Sequence, residues 1–320
     1  MDEINIRDIE GFRVGSYEDK SAATGCTVII SEEGASAGAD VRGGAPATRE
    51  TDLLRPENMV QKINAVVLSG GSAFGLEAGD GVMANLRMRQ IGFETGFGKV
   101  PIVCGASLFD LVCGNPDVFP NKEMGFRAAD NAFEETSLKS GNYGGGTGAT
   151  CGKINGVKRM MKSGMGIYAV QAGDLKVGAI VCTNPLGDIF DEDGKRIAGL
   201  MNEDATGLSS TEDFMISDWQ KQRDVYNGNT TIACVITNAD LNKSQCCKTA
   251  QISHDGIARA IRPVHTSADG DSVFVMASSE VTADFDTVSL LAALTVQRAI
   301  IRGTLEASHE YGIKCAKDFI

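Results

Sequence analysis

The sequence predicts an α/β protein with at least two packed layers. Short runs rich in β-branched residues recur along the chain, helical repeats separate them, and neither kind of segment dominates one half. The strand candidates are 24–31 (TGCTVIIS), 64–69 (NAVVLS), 100–104 (VPIVC), 166–172 (GIYAVQA), 177–182 (VGAIVC), 231–237 (TIACVIT) and 272–277 (SVFVMA). Apolar residues fill them without alternation, and Gly, Asn or Asp bound them. That pattern predicts strands covered on both faces.

Three helices are expected between these strands. Phe74, Ala78, Val82 and Leu86 repeat at i+4. Ala250, Ile257 and Ile261 share a second pattern that starts at Asn242 with Gln245 three residues on, a capping box. The third, 286–307, starts at Asp286 as its cap and is apolar nearly all round, so it should lie between layers. Residues 187–229 differ, with ten acidic and four basic side chains, and are expected to form a solvated, partly mobile excursion.

Composition narrows the function. The chain has 320 residues, which one large domain (1–320) can organise, and 42% are hydrophobic, enough for a sizeable core. A formal charge of −12 with no basic cluster disfavours nucleic acid or an anionic membrane as partner. The start, MDEINIRDIEGF, lacks the basic and apolar regions of a leader, and a cytoplasmic location is expected. Nine cysteines without a CxxC pair are expected to be reduced core residues. His254, His265 and His309 show no metal-ligand spacing, so neither a metal nor a cofactor is expected, and a histidine-based triad has few candidates.

Several motifs tempt and fail. In 141–153 (GNYGGGTGATCGK), Thr147 and Ile154 break the phosphate-loop spacing. In 69–75 (SGGSAFG), Phe74 stands where a nucleophile elbow needs glycine. Asp269-Gly270 by itself is a turn signal, and Asn184-Pro185 marks a strand end.

The stretch 227–241 (NGNTTIACVITNADL) places Asn229, Thr230 and Thr231 before an apolar strand. Alone it is a loop end. A threonine gains a second use if the bond before it is cut: the freed α-amine, with a pKa of roughly 7.7–8, can act as base for its own hydroxyl.

Five blocks bear on that use: 40–54 (DVRGGAPATRETDLL), 65–82 (AVVLSGGSAFGLEAGDGV), 141–153, 229–241 (NTTIACVITNADL) and 254–274 (HDGIARAIRPVHTSADGDSVF). Together, in order, they resemble the L-aminopeptidase/D-esterase family of self-cleaving N-terminal-nucleophile hydrolases, which includes β-peptidyl aminopeptidases and nylon-oligomer hydrolases. The resemblance implies an αββα four-layer sandwich of the type shared with ornithine acetyltransferases. It implies cleavage between Asn229 and Thr230 into fragments 1–229 and 230–320, with Thr230 as nucleophile. Asn184 then matches the family's oxyanion-stabilising asparagine, Asp269 and Asp271 its polar residues beside the nucleophile, and Lys153 the lysine of the nylon-hydrolase branch. The serine-nucleophile branch carries Ser and Glu where this chain has Asp269 and Asp271, which places it nearer the threonine-nucleophile members. An aromatic hydroxyl found near the oxyanion in some members has no counterpart in 104–111 (CGASLFDL).

The expected activity is hydrolysis of amides or esters of small peptides or aminoacyl compounds through an acyl-enzyme, by a homotetramer of cleaved protomers. Two alternatives stay open at this point: an acyltransferase resembling the ornithine acetyltransferases, and an uncleaved relative that binds a small ligand.

Overall fold

The computed structural model describes residues 1–220 and 228–320. Two β-sheets lie face to face. One runs β1 (Asp2–Glu3), β11 (Met165–Ala172), β12 (Leu175–Asn184), β15 (Thr230–Ala239), β17 (Ser272–Val281), and then the C-terminal half of β3 (Thr24–Val41). The other contains β2 (Arg13–Asp19), the N-terminal half of β3, β5 (Lys62–Ser69), β8 (Val103–Ser107) and β4 (Thr48–Arg49). The long β3 belongs to both. Its residues 36–41 pair with β17, residues 24–30 pair with β2, and the register against β5 shifts between Ile30 and Ala35.

Alternation of side chains explains why the strands read as continuous apolar runs. In β15, Ile232, Cys234 and Ile236 face the interior between the sheets, where they meet Ile29, Leu68, Cys182 and Phe274. Ala233 and Val235 face the other way, onto a layer formed by α4 (Lys243–Ala260) and α5 (Phe285–Glu306). On the far side, Cys26, Val28, Ala65 and Val67 pack against α1 (Ala78–Met88) and α2 (Lys122–Phe133). The order is helix, sheet, sheet, helix: the expected αββα sandwich.

The strand β15 is central and pairs antiparallel with β12 and parallel with β17. A parallel pair needs a crossover, and α4 supplies it. The capping box expected at Asn242 and Gln245 forms. The helix α5 is long and apolar enough to cross a membrane by length and composition, but it packs as a core helix against α4, β11 and β12. All nine cysteines are free, and all but Cys247 are buried.

Three expectations need correction. Phe74 is 60% exposed and lies in a 3₁₀ turn, Ser72–Glu77, before α1 begins, so only Ala78, Val82 and Leu86 make the buried stripe. The cap of α5 is Asp284, whose carboxylate accepts from the Thr287 N–H at 2.8 Å, two residues ahead of Asp286. The acidic excursion is not solvated throughout. Its first part forms β13 (Asp188–Phe190) and β14 (Arg196–Ala198), which join β16 (Ile261–Arg262) in a small sheet whose Ile189, Ile197 and Ala198 are buried. The buried Asp188 carboxylate ties this region down by accepting from Leu200 N (2.9 Å) and from Thr211 N and Oγ1 (2.8 and 2.6 Å) before α3 (Thr211–Ser217). Residues 221–227 of the excursion lie outside the described residues. The remaining strands are two short pairs, β6 (Phe93–Glu94) with β7 (Lys99–Val100) and β9 (Thr150–Cys151) with β10 (Met161–Lys162).

Close approach of α5 to β11 depends on Gly166, where an added Cβ would stand 1.6 Å from the Ala299 carbonyl oxygen. Gly166→Ala should lose at least about 2 kcal/mol in a urea titration, by overpacking. Gly207→Ala, whose Cβ meets nothing nearer than 3.4 Å, should stay within about 0.5 kcal/mol of the parent.

Candidate active site

The three central strands converge at one end. Asn184 closes β12 directly opposite Thr230, which opens β15. Asp269, Gly270 and Asp271 lead into β17, and Asn229 forms a parallel bridge with Asp269. Through that bridge the Asn229 N–H donates to the Ala268 carbonyl (3.4 Å), and the Asn229 carbonyl accepts from the Gly270 N–H (2.8 Å). The Thr230 hydroxyl also hydrogen-bonds the Asn229 carbonyl oxygen. Thr230 is only 4% exposed and Asn229 1%. Neither amide atom of the Asn229 side chain has a partner among the described residues. Gly228, just before, has φ +48, and an added Cβ would collide with the Phe109 ring.

Lys153 and Asn184, both fully buried, form a node on the upstream side. The Lys153 ammonium donates to Asn184 O and Oδ1 (each 2.9 Å) and to Gly228 O (3.2 Å). Asn184 Oδ1 accepts also from Thr150 N (2.9 Å), which orients the amide so that Nδ2 donates to Phe109 O (3.0 Å) and Gly228 O (3.3 Å). The resemblance gives Asn184 an oxyanion role. In the uncut chain its amide faces the Gly228 carbonyl, one residue upstream of the Asn229 carbonyl, which is held instead by Gly270. Burial drives the Lys153 pKa down to about 7, against the opposing pull of Asp269, Cys151, Asp110 and Asp271.

The carboxylates sit on the other side. Asp269 accepts from Thr266 N (2.9 Å) and Oγ1 (2.5 Å). Burial first, and then the neighbouring Asp271 charge, push its pKa up to about 6. Asp271, also buried, accepts from Thr231 N (2.6 Å) on Oδ1 and from His265 Nδ1 (2.7 Å) and N (3.2 Å) on Oδ2. Below the node lies Asp110, buried and likewise raised to about 6 by its burial; it accepts from Gly71 N (2.7 Å) and Thr24 Oγ1 (2.8 Å). Those contacts anchor the loop that presents the Phe109 carbonyl.

The structure therefore gathers Thr230, Asn184, Asp269, Asp271 and Lys153 around the Asn229–Thr230 bond. It adds Gly270, Phe109 and His265, which sequence reasoning passed over. Among the described residues, no three His, Cys, Asp or Glu side chains gather so as to hold a metal ion.

Residues 5–316 match the model of peptidase family S58. The chain belongs to that family. It is 38% identical to an uncharacterised aminopeptidase of Mycobacterium leprae over 87% of this chain and 80% of that one. It is 32% identical to a 6-aminohexanoate-oligomer endohydrolase of Kocuria sp. over 86% of this chain and 75% of the other. Two solved structures share the fold at 18% identity. The L-aminopeptidase D-Ala-esterase/amidase of Ochrobactrum anthropi, described as a variant of the Ntn-hydrolase fold, aligns with TM-score 0.68 over 95% of this chain and 86% of its own. A Burkholderia sp. β-aminopeptidase aligns with TM-score 0.69 over 94% and 86%. As an S58 member, the chain is a hydrolase of the aminopeptidase and amidohydrolase class.

The raised Asp269 gives stability a definite pH sign. A carboxyl whose folded pKa lies above its unfolded value near 3.9 binds more protons when folded, so its contribution is complete below about pH 4 and is lost as pH rises through about 6. In an uncleaved Thr230→Ala background, Asp269→Asn should flatten the fall in unfolding free energy between pH 4 and 6 by up to about 2 kcal/mol. Parallel urea titrations at the two pH values would show it, and equal slopes in both chains would contradict it.

Proposed function

We propose that this S58 chain is a self-processing aminopeptidase whose nucleophile is Thr230. The observation that carries the reading is the state of the Asn229–Thr230 bond. Its carbonyl rests on the Gly270 N–H and its hydroxyl neighbour at once, in a dry setting flanked by Lys153, Asn184, Asp269 and Asp271.

In the uncut chain, Thr230 Oγ1 attacks the Asn229 carbonyl carbon. The developing oxyanion is met by the Gly270 N–H, a donor already in place before charge appears. The hydroxyl proton passes to the departing Thr230 nitrogen, the C–N bond breaks, and an ester joins Asn229 to Thr230 Oγ1. Water then hydrolyses the ester, leaving a carboxylate on Asn229 and a free α-amine on Thr230.

Turnover reuses the same parts. The α-amine accepts the Oγ1 proton as Thr230 attacks the substrate carbonyl, then delivers it to the leaving amine or alcohol; water releases the acyl group. Once residues 228 and 229 no longer continue into Thr230, the Asn184 amide, held by Lys153 and Thr150, can turn from the Gly228 carbonyl to the substrate oxyanion. Asp271, bonded to the Thr231 N–H, stands beside the new amine and favours its cationic form, which Asp269 supports. The β-branch of Thr230 limits χ1 and keeps the nucleophile aimed. The acyl donors that suit this chemistry are small peptides and aminoacyl amides or esters.

Thr230→Ala should run as one 320-residue chain on a denaturing gel and lose hydrolysis of aminoacyl p-nitroanilides by at least about 10³-fold. Asn184→Ala should cost about 2.7–4 kcal/mol of barrier in kcat/KM among molecules that have cut themselves. A Thr230→Ala protein that turns substrate over at the parent rate would overturn the assignment of the nucleophile.

A further inference from the structure

We propose that His265 is the positioning residue that sets the orientation and charge of Asp271, and through it the acid–base behaviour of the Thr230 α-amine; this rests on Thr230 being the nucleophile. The side chain of Asp271 has two oxygens with separate duties. Oδ1 is taken by the Thr231 N–H, next door to the nucleophile, and Oδ2 by the His265 imidazole and backbone N–H. His265 thus fixes the carboxylate from behind through the Nδ1 position of its ring, while Nε2 is buried with no partner among the described residues.

The residue is held there at some conformational cost. His265 has φ +55, a left-handed backbone that few residues other than Gly adopt, His, Asn and Asp more readily than the rest. Its ring also meets His254 of α4 edge to face, with centroids 4.8 Å apart. His254 is fully buried, and its Nε2 sits 3.1 Å from Asp40 O and 3.6 Å from Asp40 Oδ2 in β3. Asp40 in turn pairs with Arg42 at 2.8 Å. A line of groups therefore runs from Asp271 through His265 and His254 to a partly exposed ion pair. Two titratable groups meet the His265 ring directly, Asp271 on its own loop and His254 on α4; behind them Asp269 and Lys153 act on Asp271, and Asp40 and Arg42 act on His254. Burial holds His254 neutral, its pKa pushed down to about 4, so the ring that abuts His265 brings no charge of its own near pH 7.

A donor on Oδ2 draws negative charge away from the face of Asp271 that looks toward the Thr230 amine. Without it, the carboxylate is freer to rotate and holds the amine more firmly as an ammonium. The amine then becomes a base only at higher pH.

Three variants separate donor from backbone. His265→Gly suits φ +55 but has no side-chain donor; His265→Asn suits that backbone and places an amide N–H near the Nδ1 position; His265→Gln reaches instead toward the Nε2 position, away from Asp271. The readouts are the thermal midpoint, the rate of self-cleavage, and the pH profile of kcat/KM with an aminoacyl p-nitroanilide. We expect His265→Gly to fold with a midpoint near the parent's, lose at least about 10-fold in kcat/KM near pH 7, and move the acidic limb of the profile to higher pH. His265→Asn should restore most of the rate and the parent profile, and His265→Gln should not. A folded His265→Gly protein with the parent's rate and profile would overturn the inference, as would equal behaviour of the Asn and Gln variants. Thr230→Ala assayed alongside keeps the two claims apart: if it is inactive while His265→Gly is unchanged, the nucleophile stands and the positioning role falls.

Discussion

The site depends on the place of β15 in its sheet. This strand pairs with β12 on one side and β17 on the other, and its first residue is held by the last pair of the β12 ladder, opposite Asn184, and by the Asn229–Asp269 bridge just ahead of the β17 ladder. Asn184 is delivered by the end of β12, Asp269 to Asp271 by the approach to β17, and Lys153 by the glycine-rich segment that passes beneath. Each of these groups is anchored in a strand end or in backbone bonded to one. The bond before Thr230 is consequently fixed in register with these groups, the kind of positioning that the proposed reaction draws on.

Burial of charge shapes the chemistry. Lys153, Asp269 and Asp271 are all nearly inaccessible, and taking charge out of water is costly unless it is paired and hydrogen-bonded. They persist as a cluster because an ammonium and two carboxylates offset one another and because backbone N–H and carbonyl groups fill their remaining valences. The outcome is a lysine brought down to about 7 and an aspartate brought up to about 6, two groups beside Thr230 whose protonation lies close to neutral pH. The same balance would be upset in the uncut chain by removing any one member, since the others would be left buried without compensation.

Much of the architecture is legible in the sequence, for a physical reason. Strands buried on both faces must be apolar through their centres, and residues 65–68 of β5, 177–182 of β12, 232–236 of β15 and 273–277 of β17 are. Helix α4 carries its cap in two residues, Asn242 and Gln245. Where the reading slipped, local signals competed: Asp284 and Asp286 both suit a cap, and Phe74 continues a helical spacing that a 3₁₀ turn interrupts. The acidic count of 187–229 hid Ile189, Ile197 and Asp188, because charge averaged over a segment says nothing about which side chains turn inward. At the site, local chemistry alone leaves Thr230 as a loop end, and only the family resemblance carried by blocks distant in the sequence singles it out. Gly270 reaches the Asn229 carbonyl through its backbone N–H, which no residue type advertises. His265 was set aside for lack of metal spacing, whereas its partner Asp271 stands six residues away across a left-handed turn.

Mass spectrometry of the purified, unmodified protein under denaturing conditions, with N-terminal sequencing of the smaller species, tests this account most directly. It predicts two species, residues 1–229 and 230–320, the second beginning Thr-Thr-Ile. A single active species with the mass of all 320 residues would contradict it.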